Sequence, residues 1–166
     1  QSYFEQYKNN FISLMPNNLY GPNDNFDLET SHVIPALIRK FHQAKLSSND
    51  QVTVWGTGNP QREFVHVDDL VSAMIFTMKN IDAKQIYTRG ISHINVSSGE
   101  EVSIRQLAFL IKTIIGFKGQ VNFDNSMPDG TPRKLLDSTR IQTLGWQPQV
   151  SLESGTTEAY KAFLNL

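Results

Sequence analysis

The sequence predicts an α/β fold, in which short strands alternate with amphipathic helices. Apolar runs of about five residues are bounded by turn-forming residues, which is typical of strands. Between these runs, apolar residues recur every three or four positions, as they do on one face of a helix. No repeat, low-complexity tract or linker divides the 166 residues, which have the size of one globular domain.

The composition excludes several classes of protein. Fifteen basic and sixteen acidic residues leave no global field that would attract nucleic acid or a membrane surface. The chain has no cysteine, so it can form neither disulfides nor a thiolate metal site. No apolar run is long enough to span a bilayer or to act as a signal core. We therefore expect a cytoplasmic protein that binds neither nucleic acid nor a membrane.

The chain starts without an initiator methionine, in a stretch typical of the tail of a helix with Tyr3, Phe4 and Tyr7 on one side. A final helical turn has little to pack on by itself, so we expect the chain to be the C-terminal part of a longer protein. Residues 11–15 ("FISLM") predict a buried strand that ends at Pro16. The end of a strand is where α/β proteins commonly bind ligands.

A histidine occupies the start of the first long helix. Proline is tolerated only in the first helical turn, so Pro35 places the helix start between Ser31 and Val33. His32 is therefore expected at the cap. The helix continues with apolar residues at helical spacing, namely Ile34, Leu37, Ile38 and Phe41.

The middle of the chain predicts two strands and a helix. Residues 51–55 and 62–67 alternate like strands around the turn cluster "GTGNPQ", which favours a hairpin-like excursion. Asp68 and Asp69 then fall in the first turn of a helix, where carboxylates compensate the helix dipole. The apolar stripe of this helix is expected to consist of Val71, Met74, Ile75 and Met78.

The last third of the chain continues the α/β alternation. Residues 93–98 and 120–124 are strand candidates, and helical segments are expected near 138–144 and 152–165. Ser103 and Gln106 have the spacing of a capping box. The helix that they begin should face inward through Ile104, Leu107, Ala108, Ile111 and Ile114.

Few motifs of known chemistry are present. The four histidines lie in separate elements, so no metal site is expected, and no glycine-flanked serine elbow occurs. A glycine-rich phosphate loop is also absent, so the main binding loop of any nucleotide cofactor lies outside this chain. Two loops place cations beside glycines, "WGTGNPQR" and "PDGTPRK". Each is suited to phosphate, although ordinary solvated turns have the same composition, and Trp55 is equally suited to a core position.

Taken in order, these stretches resemble the C-terminal half of the extended short-chain dehydrogenase/reductases. "PNNLYGP" and "WGTGNPQREFVHVDDL" are similar to segments found throughout that superfamily. "NFDLETSHVIPALIRKFHQAK" and "FDNSMPDGTPRKLLD" resemble a narrower family, the GDP-L-fucose synthases. Members of that family use NADPH to convert GDP-4-keto-6-deoxy-D-mannose to GDP-L-fucose by C3/C5 epimerisation and C4 reduction.

The resemblance implies that cofactor binding depends mainly on sequence that would precede residue 1. Residues 1–166 would form the sugar-nucleotide-binding C-terminal portion, with 1–30 as the trailing edge of the cofactor domain. Most of the Rossmann domain would be missing, and with it the dinucleotide loop and the catalytic Ser, Cys, Tyr and Lys of the family. The resemblance therefore implies that this chain alone is inactive and that its parent is a homodimer.

The resemblance also implies roles for particular residues. His32 would be the acid/base of epimerisation and would lie near the NADPH cofactor. Lys40 replaces an arginine of some relatives, which exchanges a bidentate donor for a point charge. The implied cofactor contacts are Pro16, Asn17, Asn18, Leu19 and His32. The implied GDP-sugar contacts are Val33, Lys40, Trp55, Arg62, Asp129 and Lys134.

Two alternatives remain open. The parent could be another NAD(P)-dependent nucleotide-sugar epimerase, dehydratase or reductase that acts on a different base or sugar. The chain could also be a non-catalytic sugar-nucleotide-binding module.

Overall fold

A computed structural model describes residues 1–166 and has the α/β architecture that the sequence predicts. The helices are α1 Ser2–Tyr7, α2 Val33–Leu46, α3 Val67–Asn80, α4 Ala83–Tyr87, α5 Ile104–Ile115, α6 Thr139–Thr143 and α7 Leu152–Phe163. The strands are β1 Leu14–Pro16, β2 Asn18–Tyr20, β3 Gln51–Trp55, β4 Gln61–His66, β5 Ile94–Val96, β6 Glu101–Ser103, β7 Gln120–Asp124 and β8 Arg133–Lys134.

Strand β4 organises the largest sheet. It pairs in parallel with β2 through residues 64–66 and in parallel with β8 through residues 61–62. It also pairs antiparallel with β6 through residues 61–63. Through β2, β6 and β8, this one strand brings together the segment after β1, the segment before α5 and the segment before α6.

The prediction of a hairpin-like excursion formed by β3 and β4 is wrong. β3 pairs in parallel with β7, with Val52 opposite Val121, and belongs to a different sheet from β4. Val52 and Val54 are buried beneath α2 and α5. The turn-rich segment between the two strands instead contacts residues outside both of them. It connects the sheet that contains β3 to the sheet that contains β4.

The apolar stripe predicted for α3 faces outward. The residues of α3 that are buried are Asp69, Ala73 and Thr77, whereas Met78 is 81% exposed. Beneath the helix, β1 and β5 form a sheet of only two strands, which leaves much of this helix face uncovered. An apolar groove of about 550 Å³ remains, lined by Asn10, Ile12, Leu14, Pro16, Leu70, Met74, Thr77, Met78 and Ile81.

Helix α5 forms much of the core, as its amphipathic pattern predicts. Both halves of the Ser103–Gln106 capping box are present, and Gly116 ends the helix at φ 73°. Ile115 rather than Ile114 is the fully buried residue of the last turn. No helix is both long enough and apolar enough to cross a membrane.

Candidate functional site

Two adjoining cavities lie along the first half of α2. The first has a volume of about 250 Å³ and is lined by Asn18, Leu19, His32, Val33, Ile34, Pro35, Arg62 and Phe64. The second has a volume of about 220 Å³ and is lined by Val33, Ala36, Leu37, Lys40, Val54, Trp55, Gly58, Pro60, Arg62, Ile104, Pro128, Asp129 and Gly130. Val33 and Arg62 line both, so the cavities form one continuous groove. We call them the His32 cavity and the Trp55 cavity.

His32 is the N-cap residue of α2, with an extended backbone at φ −72° and ψ 171°. Its imidazole makes no capping hydrogen bond, and the residue is exposed. Because neither ring nitrogen serves the helix, both are available to a ligand in the His32 cavity.

Lys40 and Trp55 face each other in the Trp55 cavity. The Lys40 Nζ lies 5.3 Å from the Trp55 ring centroid, which is within cation–π distance. Burial lowers the pKa of the Lys40 ammonium from the ordinary lysine value of 10.5. Trp55 itself is 63% exposed, so it is not a core aromatic. The pair presents a cation and an exposed aromatic face on one wall.

Arg62 stands between the two cavities. One guanidinium nitrogen, Nη1, donates to the Gln61 carbonyl at 2.7 Å, and Arg62 forms no salt bridge. A Cβ on Gly130 would lie 3.1 Å from Arg62 Nη2, so glycine at position 130 leaves space for the guanidinium. The remaining N–H groups of Arg62 are therefore free to bind an anion from either cavity.

Lys134 lies beside Arg62 but lines neither cavity. The two residues are partners in register on β8 and β4. The Lys134 Nζ is 3.4 Å from Asn18 Oδ1 at the rim of the His32 cavity. Its side chain is exposed.

Asp129 acts as a loop clamp. Its Oδ1 accepts from the Thr57 backbone N–H at 2.9 Å, and its Oδ2 accepts from the Thr57 hydroxyl at 2.7 Å. The Thr57 carbonyl in turn accepts from Arg105 NH2 at 2.7 Å, and the Arg105 guanidinium stacks 3.8 Å from the Phe123 ring centroid. These contacts hold the 56–60 turn against the 124–130 loop. The role of Thr57 was not apparent from sequence, because threonine is an ordinary turn residue.

The Pro16–Leu19 segment passes from β1 to β2 along the His32 cavity. Leu19 is 37% exposed and lines that cavity. The Asn17 amide is directed inward and donates from Nδ2 to Glu63 Oε2 at 2.6 Å. Asn18 Nδ2 donates to the Glu63 carbonyl at 2.7 Å. Of the four predicted contacts in this segment, Asn18 and Leu19 line the His32 cavity, Asn17 is buried behind it, and Pro16 lines the separate apolar groove beside α3 instead.

Glu63 was missed at the sequence level. It is only 5% exposed, although an acidic residue in an alternating strand ordinarily points to solvent. The available signal was the apolar character of Phe64 and Val65, which follow it directly in "REFVH" and indicate a strand that enters the interior.

One group of potential metal ligands lies outside the groove, formed by His66, Asp68 and Glu158. The His66 Nδ1 accepts from the Asp68 backbone N–H at 3.3 Å and so caps α3. The Asp68 carboxylate lies 3.8 Å from Nδ1, whereas the Glu158 carboxylate lies 3.8 Å from Nε2. One ligand atom of each residue lies within 4.8 Å of the others, but both carboxylates are exposed and the Nδ1 atom already accepts the capping bond of α3.

Comparison with known proteins agrees with this architecture. Over 99% of its length, the chain is 53% identical to a probable GDP-L-fucose synthase 1 of Oryza sativa subsp. japonica, covering 48% of that protein. It is 49% identical to the GDP-L-fucose synthase of Escherichia coli strain K12, covering 99% of this chain and 52% of the relative. Among solved structures, the GDP-mannoheptose C4 reductase MlghC from Campylobacter jejuni, with NADP bound, is 37% identical with a TM-score of 0.85. That match covers 98% of this chain and 55% of the reductase.

The chain thus spans about half the length of the curated relatives it matches. The family model described as "NAD dependent epimerase/dehydratase family" matches residues 1–96, which is more than half of the 166 residues and includes β1, β2, α2 and β4. The chain therefore belongs to the NAD dependent epimerase/dehydratase family.

Proposed function

We propose that this chain is the substrate-binding portion of an NADPH-dependent GDP-L-fucose synthase. The complete enzyme would convert GDP-4-keto-6-deoxy-D-mannose to GDP-L-fucose by epimerisation at C3 and C5 and reduction at C4. Residues 1–166 would supply the GDP-sugar groove, with 1–30 as the trailing edge of the cofactor domain. The relatives that carry this name support the proposal at about half identity over almost the whole chain.

The observation that carries the proposal is the continuous groove from His32 to Trp55. It has an imidazole at one end, Arg62 in the middle, and Lys40 with an aromatic face at the other end. Lys40 lies eight residues after His32, a rise of about 12 Å along α2. That spacing suits a sugar bound near His32 and a diphosphate bound near Arg62 and Lys40.

His32 would serve the epimerisation as a proton-transfer group. The 4-keto group acidifies the hydrogens on C3 and C5, so a base can remove one as a proton and an acid can return a proton to the opposite face. An imidazole can do either, since one nitrogen of the neutral ring accepts a proton and the protonated ring donates one. The second proton-transfer group would come from residues outside this chain.

The cations would hold the diphosphate. Arg62 offers several N–H donors in a fixed plane, and Lys40 offers a charge from the partly buried wall. Binding of the diphosphate would compensate the cost of burying the Lys40 ammonium. Val33, which lines both cavities, would contact the ligand where sugar and diphosphate join. Lys134 would join the site from its position beside Asn18, and Asp129 would keep the Trp55 wall in place.

The part of the cofactor site that this chain can supply is small. Leu19 offers exposed apolar surface beside His32, which suits the face of a nicotinamide. Asn17 and Asn18 would contribute by fixing the backbone of that segment. When bound, NADPH supplies the hydride that reduces C4.

The test is turnover by the complete enzyme. Incubation with GDP-4-keto-6-deoxy-mannose and NADPH should give GDP-L-fucose, seen by chromatography, with oxidation of one NADPH per product. A matched incubation with the UDP-linked sugar tests the preference for guanosine. Absence of both NADPH oxidation and fucose formation would remove the assignment.

A second candidate is a C4 reductase of another GDP-sugar that does not epimerise its substrate. The similarity to MlghC, which is named a GDP-mannoheptose C4 reductase, favours it among the alternatives. The two functions differ in proton exchange. An epimerase incorporates deuterium from D₂O at C3 and C5, whereas a simple reductase oxidises NADPH without that exchange.

We further propose that the complete enzyme is a cytoplasmic homodimer and that residues 1–166 alone are catalytically silent. They contain neither a dinucleotide-binding loop nor a Tyr-x-x-x-Lys pair. The purified 166-residue protein should therefore bind GDP without oxidising NADPH. Any NADPH-dependent turnover by this protein would contradict the proposal.

A further inference from the structure

Glu63 is a buried acidic side chain beside the groove. It follows Arg62 on β4, but whereas Arg62 lines both cavities, Glu63 is 5% exposed and lines neither. It forms no salt bridge with any cation of the chain. Burying an acidic group without a counter-ion is unfavourable unless N–H or O–H donors surround it. The donors around Glu63 therefore indicate its role.

Two N–H donors converge on one oxygen of this side chain. Glu63 Oε2 accepts from Asn17 Nδ2 at 2.6 Å and from the Leu136 backbone N–H at 3.1 Å. Asn17 belongs to the segment that passes along the His32 cavity. Leu136 lies two residues after Lys134. The two donors come from parts of the chain more than a hundred residues apart, so Glu63 is a direct link between them.

Further bonds extend the link on both sides. On one side, the side-chain amide oxygen Oδ1 of Asn17 accepts from the Asn18 backbone N–H at 2.9 Å. The side-chain Nδ2 of Asn18 donates to the backbone carbonyl of Glu63 at 2.7 Å. On the other side, the Lys134 Nζ donates to Asn18 Oδ1 at 3.4 Å. The Pro16–Leu19 segment and the loop that carries Lys134 are thus joined twice, once through Glu63 in the interior and once at the surface.

We propose that Glu63 is a positioning residue of the reaction. It fixes the Pro16–Leu19 segment relative to the segment that carries Lys134. It thereby sets the distance between the cofactor side and the phosphate side of the groove. This inference rests on the proposed function. Displacement by about 1 Å of groups that align reactants can lower a rate about 100-fold. Glu63 would act only through these two segments, since it lines neither cavity.

The first test replaces Glu63 in the complete enzyme. Glu63→Met keeps the length of the side chain but removes the acceptor, so both N–H donors lose their partner. We expect kcat for ketone reduction to fall about 10-fold or more, with a smaller rise in KM for the GDP-sugar. Glu63→Gln keeps a carbonyl oxygen that can accept both bonds, and it should retain kcat within about threefold.

Asp69 provides a matched control. It too is a buried carboxylate, 3% exposed, and it accepts from the backbone N–H groups of Gln149 at 2.9 Å and Val150 at 3.0 Å. It lies on α3 and lines neither cavity. Asp69→Leu should lower the melting temperature and leave kcat and KM near wild type. A general loss of stability therefore cannot reproduce the effect expected for Glu63→Met.

Hydrogen exchange provides a readout that does not depend on the assigned reaction. In Glu63→Met, the amides of residues 17–19 and 133–136 should both exchange faster, while Asp69→Leu should accelerate exchange near residues 149–150 instead. If Glu63→Met does not yield folded protein, Glu63→Asp, which withdraws the oxygen by one methylene, should show the same pattern in weaker form.

The possible outcomes separate the two proposals. Wild-type kcat in the folded Met or Asp variant, or protection retained in either segment, overturns the positioning role. Equal losses in Glu63→Gln and Glu63→Met overturn the hydrogen-bond basis of that role. A wild-type enzyme that does not turn over GDP-4-keto-sugar contradicts only the proposed function, and the exchange pattern then still tests the link.

Discussion

The Lys40 ammonium lies over the indole of Trp55, with Nζ 5.3 Å from the ring centroid. The contact places a cation on a wall that is partly buried, and burial lowers the pKa of Lys40. Lys40 is therefore held ready for an anion that would compensate its lost hydration.

Lys40→Met should raise KM for the GDP-sugar about 10- to 100-fold, because a charge-assisted bond to the diphosphate is lost. Lys40→Arg should retain most of the affinity. Lys45→Met is the control on the same helix, since the Lys45 Nζ donates to the Ile115 carbonyl at 2.7 Å, away from the groove. The affinity for GDP can be measured by calorimetry. Equal effects at positions 40 and 45 would contradict a specific phosphate contact.

The affinity for GDP should also depend on pH through Lys40. Because its pKa is below the ordinary 10.5, the ammonium loses its proton at a lower pH than a solvated lysine does. Affinity should therefore decline as the pH rises towards that range, and Lys40→Arg should remove the decline because arginine stays charged. An identical pH profile in wild type and Lys40→Arg would rule out this titration as the cause.

His32→Gln should slow epimerisation more than reduction. Loss of a general acid/base lowers a rate about 10²- to 10⁴-fold, whereas hydride transfer to C4 does not need this imidazole. The two steps can be followed separately by deuterium incorporation at C3 and C5 and by NADPH oxidation. His42→Gln, on the same helix and bonded to the Tyr160 hydroxyl at 3.1 Å, is the control. Equal loss of both steps in His32→Gln would indicate a binding role instead.

The clamp between Thr57 and Asp129 should act on affinity through the loops that it joins. Thr57→Val and Asp129→Ala should each weaken GDP binding, and the double variant should lose less than the sum of the two. The coupling expected for residues in direct contact is about 0.5–3 kcal/mol. Thr53→Val on β3 is the control, as Thr53 is exposed and outside both cavities. Strictly additive losses would mean that Asp129 contacts the ligand independently of Thr57.

The outward face of α3 should be covered in the complete enzyme. Met78→Glu should leave the stability of the 166-residue protein almost unchanged, because this side chain is 81% exposed. In the complete enzyme, Met78→Glu should lower the free energy of unfolding by about 2 kcal/mol or more, since a charge would enter an apolar contact. Leu46→Glu, at a position that is 71% exposed on α2, is the control and should be neutral in both proteins. Thermal melts of the four proteins test this.

Local patterns predicted much of the fold. Pro35 located the start of α2 and therefore the cap position of His32, and Ser103 with Gln106 located the start of α5. These features depend on neighbouring residues, whose chemistry is visible in a short window. The gathering of His32, Arg62, Lys40, Trp55 and Asp129 into one groove followed from a family resemblance, because spacing along the chain does not define which loops meet.

Other features could not be read from the chain. The pairing of Val52 with Val121 joins residues far apart in sequence, and a strand pattern does not identify its partner. The outward direction of Met74 and Met78 could not be foreseen either, because a helical pattern reports only that a face is apolar and not whether the rest of the chain packs against it. The burial of Glu63 could not be predicted either. The N–H donors that stabilise its buried side chain come from two other segments, and a strand pattern does not show which segments will meet it.

The opposite directions of Arg62 and Glu63 restrict which changes of length β4 can tolerate. Successive side chains of a strand point to opposite faces, so inserting or deleting one residue before position 62 would exchange the two. A carboxylate would then line the groove, and a guanidinium would be forced into the interior among N–H donors. Substitutions in β4 can be graded in severity, but a shift in register by one residue would remove Arg62 from the groove and break the internal hydrogen bonds of Glu63 in a single change.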